Sequence, residues 1–246
     1  MPNGDVVKAN GNGKDKKVKY AVMEHDAATL RELVEANLEG RELTAFDLNK
    51  APMPAGGGTV WEVPTLEGSE AEKEIRGVLI YERDCRSYWI DSELDGRQPD
   101  CKSDDAVNGY GVISDTDEMR ERECKTCPLS QWGSAPNGSK GQACTLKKVL
   151  YILQPNTLLP MVVFIPPSSL TPINKWLTNL FSYGKFFYGV ELGLSLEKVS
   201  GDGVQYSRVV PRVVRELTSK EATSIQGYRE LMLPSLRGMP TAEAKE

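Results

Sequence analysis

The sequence predicts a mostly β, α+β fold interrupted by one long irregular insert. Three observations predict it. Strand-type segments occur at 73–90, 147–153, 159–165, 186–198 and 204–214, a helical segment falls between the third and fourth of them, and residues 91–145 lose all periodicity while holding four of the five cysteines. At 246 residues and 39% hydrophobic content, the chain is large enough for a real core.

Residues 1–20 are rich in Gly, Asn and Lys and almost free of apolar side chains, which predicts a disordered arm. Asp26 is an N-cap candidate for a helix over 26–38, with Leu30, Leu33, Val34 and Leu38 on one face and Gly40 past its end. Residues 43–48 read as a short strand-like piece, 51–58 as a Pro/Gly loop, and 60–63 as a short strand. The long strand at 73–83 continues at 86–90 after a bend at Asp84 and Cys85.

After the insert, 147–153 and 159–165 form a hairpin around the turn at 154–157, and Pro166-Pro167 stops it. Ser168 or Ser169 caps a helix reaching Tyr183, and Gly184 closes it. The strands 186–198 and 204–214 flank a tight turn at 200–203. Thr218 and Glu221 form a capping box opening a last helix that Pro234 ends. Strand, insert, strand, strand, helix, strand, strand, helix is the order of an OB-like five-stranded barrel. The expected organisation is an arm at 1–20, an OB-like domain at 21–235 carrying an inserted subdomain at 91–145, and a flexible tail at 236–246.

Charge is unevenly spread. Residues 61–136 carry a net −9 and residues 137–220 a net +6, within a chain whose total is −5. An overall basic coat is excluded, but a positive flank on the second half is expected. No apolar run is long enough to span a membrane, and the first twenty residues lack the apolar core of a secretory signal. A reducing, cytoplasmic compartment is therefore expected, and clustered thiols there favour metal over disulfides.

Cys101, Cys124, Cys127 and Cys144 form such a cluster. Two thiolates two residues apart grip one tetrahedral ion from a tight turn, and the Gly-rich segments at 108–111 and 137–141 let the other two converge on it. A closed structural zinc site is expected, able to order an otherwise structureless insert. An iron–sulfur cluster, Cys85 in place of Cys101, and disulfide pairing remain alternatives. The single His25 removes multi-histidine metal sites and most histidine catalysis.

Unpaired nucleic acid is held by aromatic platforms in a positive groove. The candidates are Arg86, Tyr88, Trp89, Trp132, Lys147, Lys148, Tyr151, Lys185, Phe187, Tyr206, Arg208 and Arg212. Strand neighbours face opposite sides, so only one of Phe186 and Phe187 points outward, and Tyr206, Arg208 and Arg212 share a face if no bulge intervenes. Nucleotide-binding, zinc-protease and serine-hydrolase motifs are missing. The acid clusters at Asp104-Asp105 and Asp115-Thr-Asp117-Glu118 are the nearest approach to a two-metal nuclease site, but a solvated charge run is the commoner explanation of such acids. The chain reads as a non-enzyme.

The segments Trp61-Glu-Val63, Gly77-Val-Leu-Ile80, Ser87-Tyr-Trp89, Cys124-x-x-Cys127-Pro-Leu-Ser-Gln-Trp-Gly-Ser134, Gly141-Gln-Ala-Cys144 and Tyr206-Ser207 resemble a group of phage and prophage proteins. Over 60–215 the arrangement is similar to the single-stranded-DNA-binding family of T4-type phages. That resemblance implies an OB fold with a zinc-bearing subdomain, one structural zinc ion, and non-catalytic coating of single-stranded DNA in replication and recombination, with other proteins of those processes as partners. The chain departs from the family in offering four cysteines where the family uses a histidine and three, and in only weakly echoing its acidic tail at 242–246. The alternative is a phage protein-interaction module or inhibitor that docks through the cysteine insert. A metal-dependent nuclease is a third reading.

Overall fold

The computed structural model describes residues 19–91, 98–136, 138, 140–201 and 203–241. Most of the expected arm, the last five residues of the expected tail and part of the insert lie outside the described residues. The protein is mostly β: a curled antiparallel sheet forms a half-barrel, accompanied by three α-helices among the described residues.

Helix α1 (Ala27–Leu38) starts where Asp26 accepts a 2.8 Å bond from the Thr29 N–H. Residues 43–48 are not a strand. The Asp47 carboxylate accepts from the Thr44 N–H, the Thr44 hydroxyl and both ends of the Arg41 guanidinium, and this closes a turn instead. Strand β1 (Trp61–Thr65) forms a hairpin with β2 (Gly68–Glu72), which the sequence did not announce because 68–72 is exposed throughout.

Strand β3 (Glu74–Tyr88) organises the rest. It runs unbroken through Asp84 and Cys85, and the expected bend is replaced by an irregularity between Leu79 and Tyr81. The insert is a short meander of β4 (Cys101–Ser103), β5 (Asn108–Gly111) and β6 (Arg120–Glu123), built onto the end of β3. Strands β7 (Thr145–Leu153) and β8 (Met161–Ile165) form the expected hairpin. Helix α2 (Pro167–Ser182) leads to β9 (Val190–Gly201) and β10 (Val204–Glu216), and helix α3 (Ser219–Gly238) closes the chain.

The pairing order runs β8-β7-β3-β9-β10, with β9 holding the first part of β3 and β7 the remainder. Among the described residues β8 and β10 do not pair, so the curl is open on that side. Helix α2 packs against β10 and β7 there. Ser169 does not cap it as expected; the N-cap is Pro166, and Ser169 is buried with its hydroxyl facing β10. Strand β9 starts at Val190, later than expected, because Phe187–Gly189 form a short 3-10 turn.

Two cores lie on opposite faces of the sheet. Leu150, Ile152, Met161, Val163 and Ile165 meet Leu79, Leu192, Leu194, Trp61 and Ile173 inside the curl. Val149, Tyr151, Leu153 and Val162 meet Tyr20, Leu30, Ile225, Tyr228, Met232 and Leu236 outside it. Helices α1 and α3 thus cover the outer face of β7 and β8. Tyr20 is fully buried, so the expected arm ends before it. Pro234 sits inside α3, which continues to Gly238, and Leu236, Met239 and Thr241 are buried. The expected flexible tail is therefore packed through residue 241, where the Thr241 N–H donates to Asp104.

Candidate nucleic-acid interface and cysteine lobe

Strand pairing carries Cys101 to the lobe, opposite Tyr88 on one side and Gly111 on the other. The Cys124 N–H donates to Val107 O at 2.8 Å, and the Cys127 N–H turns back to Cys124 O at 3.3 Å. The Ser130 hydroxyl bonds the carbonyls of both Cys124 and Cys127 and locks this turn. The Cys144 N–H donates to Leu129 O at 2.8 Å. At Gly109 a Cβ would stand 3.5 Å from the sulfurs of both Cys101 and Cys124, so the bare glycine leaves the space that these thiols border.

All four are free thiols, and Cys101, Cys124 and Cys144 are buried. Burial, then the neighbouring Cys127 and Cys124 thiols, pushes Cys101 up to about 11. Burial pushes Cys144 up to about 12, against the pull of the Arg86 guanidinium. Cys124 is also raised by burial, with the Ser103 hydroxyl and Arg86 opposing. Among the described residues no three His, Cys, Asp or Glu side chains stand in a ready ligating array. Cys85 belongs to the outer core, and His25 is exposed ahead of α1.

The acid clusters close loops. Asp105 accepts from the Val107 and Asn108 N–H groups and the Ser103 hydroxyl, while Asp117 accepts from the Ile113 N–H and pairs with Arg120 and Arg122.

Of the nucleic-acid candidates, Arg86, Tyr88, Trp89 and Lys147 all lie where β3 and β7 meet the lobe, but on opposite faces. Lys147 is the partner of Cys85 and sits on the side of Trp89, whereas Arg86 and Tyr88 face the other way. The Lys147 ammonium lies 5.7 Å from the centre of the Trp89 ring. Arg86 donates to Cys144 O at 3.0 Å and to the Gln142 side chain, whose amide donates in turn to Ser130 O. These acceptors are uncharged, so the Arg86 charge is not neutralised by a carboxylate among the described residues. Trp132 lies two residues beyond Ser130 and is 80% exposed.

Other candidates are placed differently. Tyr151 is buried in the outer core beneath α3 and cannot meet a base. Lys148 is buried between Glu82 and Asp84, at 2.5 and 2.8 Å. Tyr206, Arg208 and Arg212 do share a face, since the β10 irregularity comes only after Val213. Yet Arg208 pairs with Glu197, and Arg212 with Glu74. Lys185 pairs with Glu216. Much of the positive flank expected from charge counting is thus matched by local carboxylates.

The strand alternation expected at 186 and 187 does not apply, because both precede β9 and Phe187 opens the 3-10 turn. Phe187 packs against the inner core, while Phe186 is exposed along with Phe181 and Tyr183. The run Phe-Ser-Tyr-Gly-Lys-Phe-Phe-Tyr-Gly at 181–189 was the available signal. No family model, curated protein or solved structure matches the chain.

Proposed function

We propose that this chain is a non-catalytic single-stranded-DNA-binding protein of phage type, an OB-like barrel stabilised by one zinc ion in the cysteine lobe, acting in DNA replication or recombination. One observation supports the DNA reading above the others: at the strand end that meets the lobe, the Lys147 ammonium lies 5.7 Å from the centre of the Trp89 ring. Such pairs present a π-face to a base and positive charge to its phosphate. The pairing order β8-β7-β3-β9-β10, with a helix between β8 and β9, supports the barrel type.

Cys101, Cys124, Cys127 and Cys144 would hold the zinc. Their fit is supported by the Cys124–Cys127 turn and by the bare Gly109 beside two of the sulfurs. A bound dication would reverse the penalty that burial places on the Cys101, Cys124 and Cys144 thiolates.

The test is fluorescence anisotropy of the full chain with labelled oligo-dT, oligo-U and duplex DNA at two salt concentrations, alongside elemental analysis. Preference for the single strand, affinity falling with salt, and one zinc per chain are expected. Equal affinity for duplex, or binding indifferent to salt, overturns the DNA reading. A metal-free chain that keeps its stability overturns the zinc.

A further inference from the structure

The end of α2 leaves three aromatic rings in solvent at one corner: Phe181 is 81% exposed, Tyr183 81% and Phe186 67%. The helix terminus puts them there. Gly184 adopts φ 66°, its N–H bonds Phe181 O, and the Lys185 N–H bonds Leu180 O, both at 2.9 Å. This double closure reverses the chain sharply. The 3-10 turn that follows then returns Phe187 and Tyr188 to the body of the protein.

The rings are ordered. Phe186 stacks on Tyr188 with centroids 5.0 Å apart and planes at 15°. Phe187 meets Tyr188 edge-on at 5.5 Å. The Arg229 guanidinium lies 4.9 Å from the Tyr188 centroid and is anchored by its bond to Ile80 O. Tyr188 and Phe187 are thereby fixed from the core side, and Phe186 ends the stack in water. The charge balance is favourable. Lys185 pairs with Glu216, whereas Arg229 meets no carboxylate among the described residues, so the corner carries a net positive charge.

A rigid π-stack that ends in water beside cations is suited to a flat aromatic ligand carrying negative charge, as an unpaired nucleotide does. We infer that the corner formed by Phe181, Tyr183, Lys185 and Phe186 is a base-stacking site for single-stranded DNA, separate from the lobe end of β3. A base continues the stack on Phe186, and Arg229 supplies the uncompensated positive charge for its phosphates, Lys185 being balanced by Glu216. The inference rests on the DNA-binding reading above.

The test compares oligo-dT affinity of the full chain with that of its F186A, F186L, F186W and Y183A variants, and maps crosslinks from an iodouracil-substituted oligonucleotide. F186A should weaken binding about tenfold, F186W should restore it, and crosslinks should fall within 181–188. F186A should lose no more stability than its stacking contact with Tyr188 supplies, and the chain should stay folded. If wild-type chain binds oligo-dT while F186A and Y183A bind equally well and crosslinks fall elsewhere, the corner is refuted and the DNA reading stands. If F186L binds like wild type, the contact is not stacking and the inference fails. If the wild-type chain binds no single strand, both fall together.

Discussion

Ser169 accepts a 3.0 Å hydrogen bond from the backbone N–H of Val209, and both residues are fully buried. Strand β10 ends one side of the curled sheet, and the serine hydroxyl replaces the neighbouring strand that β8 does not supply. The S169A variant should leave that N–H without a partner and lose roughly 1–3 kcal/mol of stability. Urea unfolding would measure it, and S169A as stable as wild type would refute the role.

The Thr218–Glu221 capping box is tied to the curled sheet by Arg215, which reaches Glu221 at 2.8 Å and the buried Glu191 at 2.9 Å. The Arg215 guanidinium, then the Thr218 N–H, holds the Glu221 carboxyl down at about 2. The group is charged in the fold well below its ordinary value of 4.5, so its contribution is complete above pH 4.5 and disappears as pH falls towards 2. E221Q should flatten the stability profile in that window. T218A should cost about 1 kcal/mol near neutral pH.

Removing Lys148 leaves Glu82 and Asp84 facing each other. The lysine side chain is 7% exposed and the two carboxylates 27% and 41%, so water softens the repulsion. K148A should cost roughly 2 kcal/mol. Its DNA affinity should stay within about twofold of wild type, because a buried lysine contributes little counterion release. A large loss of affinity with stability unchanged would return Lys148 to the interface.

Gly111 is where β5 crosses closest to its neighbour. A Cβ there would lie 2.1 Å from Asp100 O and 2.4 Å from Cys101 Cα, at φ 149°. Neither obstacle is a movable side chain, so G111A must displace the backbone that carries Cys101. The variant should lose at least about 2 kcal/mol. Its lobe thiols should react faster with a disulfide reagent than those of wild type, and unchanged thiol kinetics would refute the prediction.

Elements with a local chemical cause were legible in the sequence. The α1 cap, the α3 capping box and the β7-β8 hairpin depend on neighbours a few residues apart. What distant residues decide was misread. Tyr151 lies in a nearly unbroken apolar run, 149–153, and such a run marks a strand covered on both faces. That signal was present, but the helix that covers it comes some seventy residues later, at Ile225, Tyr228 and Met232. Lys148 was taken for a surface cation because the strand bearing Glu82 and Asp84 is equally remote.

The site was legible in types rather than in placement. The Cys101 and Cys124 sulfurs do meet at Gly109, whereas alternation could not place Phe186 and Phe187, which lie in a 3-10 turn and its cap rather than in a strand. Leu43 to Leu48 failed for a different reason. Asp47 offers its oxygens to Thr44 and Arg41, and a side chain that satisfies backbone donors competes directly with strand pairing.

Strand β3 depends on distant partners: Glu74 pairs with Ser195, and Val78 with Leu153. During synthesis, β3 leaves the ribosome with only the short strands of the lobe to pair with until residue 145 follows, and its other flank stays bare until β9 emerges. Assembly must therefore be late and slow, as expected for a topology of high contact order. A nascent chain cut short before β7 would leave Val78, Leu79 and Ile80, buried in the finished fold, without their partner strand.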